Sequence, residues 1–168
     1  GRKQATFLTS RAQMHKLGNK AYEQVLRKSE LSKKTESVEM MKRIGQNIQK
    51  AVEAYFASIG DFESLNGYVW EYNLIEHEAK NAFCMPGGKV AVFSGLLEIT
   101  QNEDALAVVM GHEIAHAVAR HGAERVTRQK LIKSGSIVVN IVLGSTGASS
   151  TAAEVFNEVY GYGSLFGS

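Results

Sequence analysis

The sequence predicts an α+β domain, mostly helical with a small sheet. Three observations carry this. Residues 36–58 repeat apolar side chains at three- and four-residue spacing. Residues 67–94 are rich in aromatic and β-branched side chains and hold the chain's one proline. Residues 103–121 form a further apolar stretch of helical length that carries two histidines four apart. The 168 residues, 44% of them hydrophobic, suit one domain with a sizeable core.

Taken in order, residues 11–30 read as a helix rich in Lys, Gln, Glu and Ala, with Leu17, Tyr22, Val25 and Leu26 as its apolar positions. In 36–58, Val38, Met41, Ile44, Ile48, Val52 and Tyr55 lie on one face of an amphipathic helix. Gly60 supplies its stop. Residues 67–75, aromatic and β-branched, predict a strand, and 80–94 predict two short ones. Between those two, Pro86-Gly87 suits the central positions of a type II turn, where Pro presets φ and Gly accepts φ > 0. A short helix is expected over 94–99. Thr100-Gln101-Asn102-Glu103 then offers a capping box, with Asn102 as a rival N-cap. It opens the helix 103–121, and Gly122 stands where a C′ glycine belongs. A further helix is expected over 123–142. After it come a small, polar run and a glycine-rich end, which read as a chain cut before its next element.

The net charge is +2, and residues of both signs are expected to intersperse, so no nucleic-acid partner is expected. One cysteine, Cys84, excludes an internal disulfide and is expected as a small, half-buried apolar residue. No run reaches the roughly 18 apolar residues of a membrane-spanning helix. The nearest, 137–143, is expected to pack in the core or against a second copy, which leaves a homo-oligomer open. No signal peptide is visible, and the opening Gly1-Arg2-Lys3-Gln4 reads as a boundary within a longer chain.

The chemistry lies in His112-Glu113-Ile114-Ala115-His116. Residues four apart on a helix are about 40° apart around its axis. His112 and His116 therefore project from one face and can approach a single Zn²⁺. Glu113 is rotated about 100° from His112. It misses the metal's inner shell but can reach a zinc-bound water, where a general base must be. Zinc lowers the pKa of such a water toward ~7 and polarises a carbonyl. The plainer alternative is an alanine-rich buried helix with incidental polar residues, but three buried ionisable groups without a metal would be costly.

A catalytic zinc takes three protein ligands. His121, nine residues after His112, falls about 180° away on a continuous helix and suits the helix C-terminus better. The other choice is a later glutamate: Glu124, Glu154 or Glu158.

With these residues in view, the sequence resembles the HtpX-like gluzincin metallopeptidases, which include the CAAX prenyl proteases. The resemblance rests on "NAFCMPGGKVAVFSGLLEIT" followed by "NEDALAVVMGHEIAHAVARHG". It is strong over 70–125 and looser over the N-terminal helices. The opening "GRKQ" is similar to the start of mature periplasmic and lipoprotein members of Gram-negative bacteria. The resemblance implies a zincin-like (minigluzincin-type) metallopeptidase domain, one Zn²⁺ per chain, His112 and His116 as ligands and Glu113 as general base. It also implies a third ligand, a glutamate of an E-x-x-A-D motif on a later helix. No such motif stands in this sequence, so the single domain 1–168 is expected to stop short of it. The implied function is endopeptidase cleavage of unfolded or misassembled envelope proteins, in the periplasm or at the outer membrane, with an upstream lipid anchor. The rival is a catalytically incomplete fragment serving as a binding or assembly module.

A peptidase must also hold its polypeptide extended, most simply as an added strand on a sheet edge. Asn81, Ala82, Phe83, Cys84 and Met85 are short and end at a Pro-Gly turn, as an edge strand does. They are expected to be that edge. The alternative is an ordinary hairpin inside the sheet.

Overall fold

The computed structural model describes residues 2–122, and side chains over 11–119. Its elements are α1 (Arg2–Arg27), α2 (Thr35–Ser58), β1 (Glu71–Ile75), β2 (Ala82–Met85), β3 (Lys89–Phe93), α3 (Ser94–Thr100) and α4 (Glu103–Gly122). The expected helix over 123–142 and the segment 137–143 lie outside the described residues.

The sheet has three strands in the order β1-β3-β2. β1 runs parallel to β3, with Glu71 opposite Lys89 and Ile75 opposite Phe93. β2 and β3 form an antiparallel hairpin. Its turn is of the type Pro86-Gly87 predicts. Gly88 N–H donates to Met85 O at 3.2 Å, and Gly87 takes φ +92°, which only a residue lacking Cβ adopts without strain. β1 is shorter than the expected 67–75. The chain turns at 65–68, where Tyr68 N–H reaches Leu65 O, and 69–71 bond to the hairpin's glycines rather than to a straight strand. Tyr68, Trp70 and Tyr72 still form a ladder of rings there, with centroids 5.2 and 6.5 Å apart.

Side chains alternate across the sheet, so it has two covered faces. Tyr72, Leu74, Ala82, Cys84, Val90 and Val92 meet α2, α3 and α4 in one cluster. Ile75, Phe83, Met85, Ala91 and Phe93 meet Tyr22 and Val25 of α1 in the other. The core is therefore two sheets of contact on one thin sheet, and α1 packs on the face away from α4. Of the two N-terminal helices, α2 alone packs substantially on α4. On α2, Met41 and Ile44 are buried as the periodicity requires, but Tyr55 is 60% exposed, and its neighbour Phe56 packs on the core in its place. Gly60 at φ +72° follows the helix as expected.

Candidate metal centre

α4 begins where its sequence says, by one of the two caps. Asn102 Oδ1 accepts the Ala105 N–H at 2.8 Å, so Asn102 is the N-cap and satisfies an otherwise orphaned donor. Thr100 instead ends α3, and Gln101 links the two helices at φ 60°. Glu103 in the first turn meets Arg43 of α2. The pair is exposed, so it sets alignment more than stability.

The helix buries Leu106, Val109, Met110, Ile114, Ala117 and Val118, a three- and four-residue rhythm that fills the space between α2 and the sheet. It is not apolar-buried on most sides, as its composition suggested: Val108 is 67% exposed, and Ala115 and Ala119 face outward. His112 and His116 sit half-buried at the rim of the packed face. Their ring centroids are 4.4 Å apart with planes at 77°. Two imidazoles thus converge from successive turns, a donor set that suits a zinc-class ion.

Glu113 turns inward and is 2% exposed. Its carboxylate faces β2. Burial pushes the Cys84 thiol up from its ordinary range, and the Glu113 charge pushes it further. Cys84 is free and fully buried rather than half-buried, beneath the inner side of α4. The sequence could not reveal this neighbour, since strand register and helix placement together decide it.

The segment 81–85 lies at a sheet edge, not inside the sheet. Phe93 N–H donates to Asn81 O at 3.0 Å, which fixes the 81:93 and 83:91 pairs as hydrogen-bonded. By alternation the peptide groups of Ala82 and Cys84 point away from β3. Ala82 N–H is taken by Asn81 Oδ1 at 2.9 Å. Phe83 and Met85 side chains lie in the α1 cluster, and Ala82 and Cys84 in the α4 cluster, and residues 82–85 are buried throughout, backbone included.

Among the described residues no group of three His, Cys, Asp or Glu side chains is placed to hold an ion. The side chain of His121, and all of Glu124, Glu154 and Glu158, fall outside them. No described helix is long and apolar enough to cross a membrane.

Peptidase family M48 matches residues 42–165. The mitochondrial metalloendopeptidase OMA1 of Saccharomyces cerevisiae is 32% identical over 132 residues, covering 77% of this chain and 38% of that protein. The OMA1 of Schizosaccharomyces pombe is 53% identical over 57 residues, 34% of this chain and 17% of that one. The β-barrel assembly-enhancing protease of Yersinia pestis is 33% identical over 94 residues, 50% of this chain and 19% of that one. The chain therefore spans well under half the length of each of these relatives.

Proposed function

The chain belongs to peptidase family M48, and on that premise we propose that it is a zinc-dependent metalloendopeptidase acting on unfolded or misassembled envelope proteins. The observation that carries this reading is the pair of imidazoles 4.4 Å apart on α4 beside a buried glutamate. His112 and His116 are assigned as two of the zinc ligands. The third is assigned to residues after 122. When bound, zinc supplies a Lewis acid for the scissile carbonyl and acidifies water. Glu113 accepts the proton of the attacking water and hands it to the departing amine. Its inward setting beside Cys84 holds it at the β2 side of the helix. The peptide groups of Cys84, which point away from β3, hydrogen-bond an extended polypeptide once it reaches this buried edge, whatever its side chains, which suits unfolded substrates.

The motif 81–88 joined to His112–His116 supports a place near the HtpX-like, lipoprotein-like branch. The bacterial relatives named for β-barrel assembly support an envelope substrate and a periplasmic or outer-membrane site of action.

The test is Glu113→Gln, with metal content and casein cleavage measured side by side on the full-length protein. We expect turnover to fall about 10²–10⁴-fold with zinc retained. His112→Ala or His116→Ala should lose the metal itself. Zinc loss in Glu113→Gln, or near-normal turnover, would overturn the role given to Glu113. Wild-type protein that neither binds zinc nor cleaves casein would make the fold a non-catalytic binding module.

A further inference from the structure

Charge is not dispersed evenly along this chain, contrary to the first expectation. Residues 1–34 hold nine Lys or Arg against two acidic residues, and the rest of the chain holds ten against fifteen. An end of net +7 is joined to a body of net −5. The fold turns this segregation into a surface. In α1, Lys16, Lys20 and Arg27 follow one another by four and seven residues, which sets them within about 40° around the helix axis. All three are exposed, while His15, Gly18, Tyr22 and Val25 face the sheet. Glu23 shares the outer stripe, and Arg27 meets it at 3.7 Å between two well-exposed side chains. So solvated a pair leaves most of the stripe's attraction for anions in place. Lys28, Lys33 and Lys34, after the helix, are exposed as well.

A depression of about 300 Å³ opens on the same stripe, lined among the described residues by Gln13, Lys16, Leu17 and Lys20. Of these four, Leu17 and the lysine stems offer apolar surface and the two lysines carry ammonium groups. We propose that this outer face of α1 is a docking surface for an anionic phospholipid bilayer. The ammonium groups take lipid phosphates, and Leu17 with the lysine stems takes the apolar part just beneath them. A nucleic acid fits less well, because the described stripe exposes no aromatic ring on which bases could stack. The layering gives the docking a consequence. α1 and α4 lie on opposite faces of the sheet, so a bilayer held by α1 leaves His112 and His116 turned away from lipid.

The experiment is cosedimentation of the 168-residue chain with vesicles of phosphatidylcholine alone or with about 30% phosphatidylglycerol, at about 0.1 M salt. Binding is expected only to the anionic vesicles and should be lost on raising salt to about 0.5 M. The triple change Lys16→Gln, Lys20→Gln and Arg27→Gln should lower the partition coefficient about a hundredfold. A matched triple, Lys42→Gln, Lys50→Gln and Lys80→Gln, removes the same charge from exposed positions elsewhere and should retain binding. Circular dichroism checks the fold of both. The proposal is overturned if wild-type protein ignores anionic vesicles at low salt or binds neutral ones equally. It is also overturned if the matched triple loses as much, or if an oligonucleotide is held more tightly than the anionic vesicles.

Discussion

At Gly45 α2 meets the ring of Tyr72 with no room for a methyl group. A Cβ there would stand 2.5 Å from Cδ1 and Cε1 of that ring. The ring is also tied to the next turn of the same helix, since its hydroxyl donates to Gln49 Oε1 at 2.6 Å. Gly111, one residue before His112, is the opposite case: its nearest neighbour would be Ile48 Cδ1 at 4.0 Å. Both glycines lie inside helices, where alanine is the better former by about 1 kcal/mol. Packing decides the sign. Gly45→Ala should destabilise by about 1–2 kcal/mol net, because overpacking outweighs propensity. Gly111→Ala should stabilise by about 0.5–1 kcal/mol. Denaturant midpoints for the two variants settle it, and a gain at both would mean that the Tyr72 contact is looser than drawn.

At the scale of the element, β2 carries the substrate hypothesis. Its side chains are committed to two clusters, and of its backbone the peptide groups of Ala82 and Cys84 point away from β3, beneath the surface. Cys84→Pro removes an edge N–H and no ladder bond, because Cys84 sits at a position whose peptide groups face away from β3. If the protein cleaves unfolded chains through this edge, the variant should raise KM several-fold with kcat little changed. A folded, zinc-loaded variant with unchanged KM would put the groove elsewhere. The turn beside this strand was fully legible in advance, since Pro and Gly at 86 and 87 admit few backbone paths. The boundaries of β1 were not: aromatic and β-branched residues over 67–70 favour extension, but the partner opposite them is a turn.

At the scale of the molecule, α1 is tied to the rest around one buried histidine. His15 lies edge-on to Tyr68, with centroids 5.3 Å apart, and beside Gly67 and Gly87, so it joins helix, loop and hairpin turn. Burial lowers its pKa from the ordinary 6.5, and the Arg11 charge lowers it further. The folded value lies below the unfolded one, so below about pH 6.5 the unfolded chain binds more protons than the folded chain. The stability from neutral His15 is therefore complete above that pH and drains away as pH falls through the folded value. Urea midpoints should drop between about pH 7.5 and about pH 5, and His15→Gln should flatten the drop. An unchanged slope in the variant would place the titration on other groups.

The sequence by itself determined the local devices and the spacing of the candidate site residues. Helix periodicity, a Pro-Gly turn and the four-residue spacing of His112 and His116 are encoded within a few neighbouring positions, where covalent geometry leaves little choice. The same is true of the approach of those two rings, since one helix carries both. What only the tertiary structure decided lies between elements. Strand order made β2 an edge. Packing chose the face of α4 that buries Glu113 and brought Cys84 within reach of its charge. The two-sided sheet put α1 opposite the site, turning a sequence-level excess of lysine and arginine into a surface. Each of these depends on contacts between residues far apart in the chain, where the register and facing of whole elements are fixed by the fit of many side chains at once.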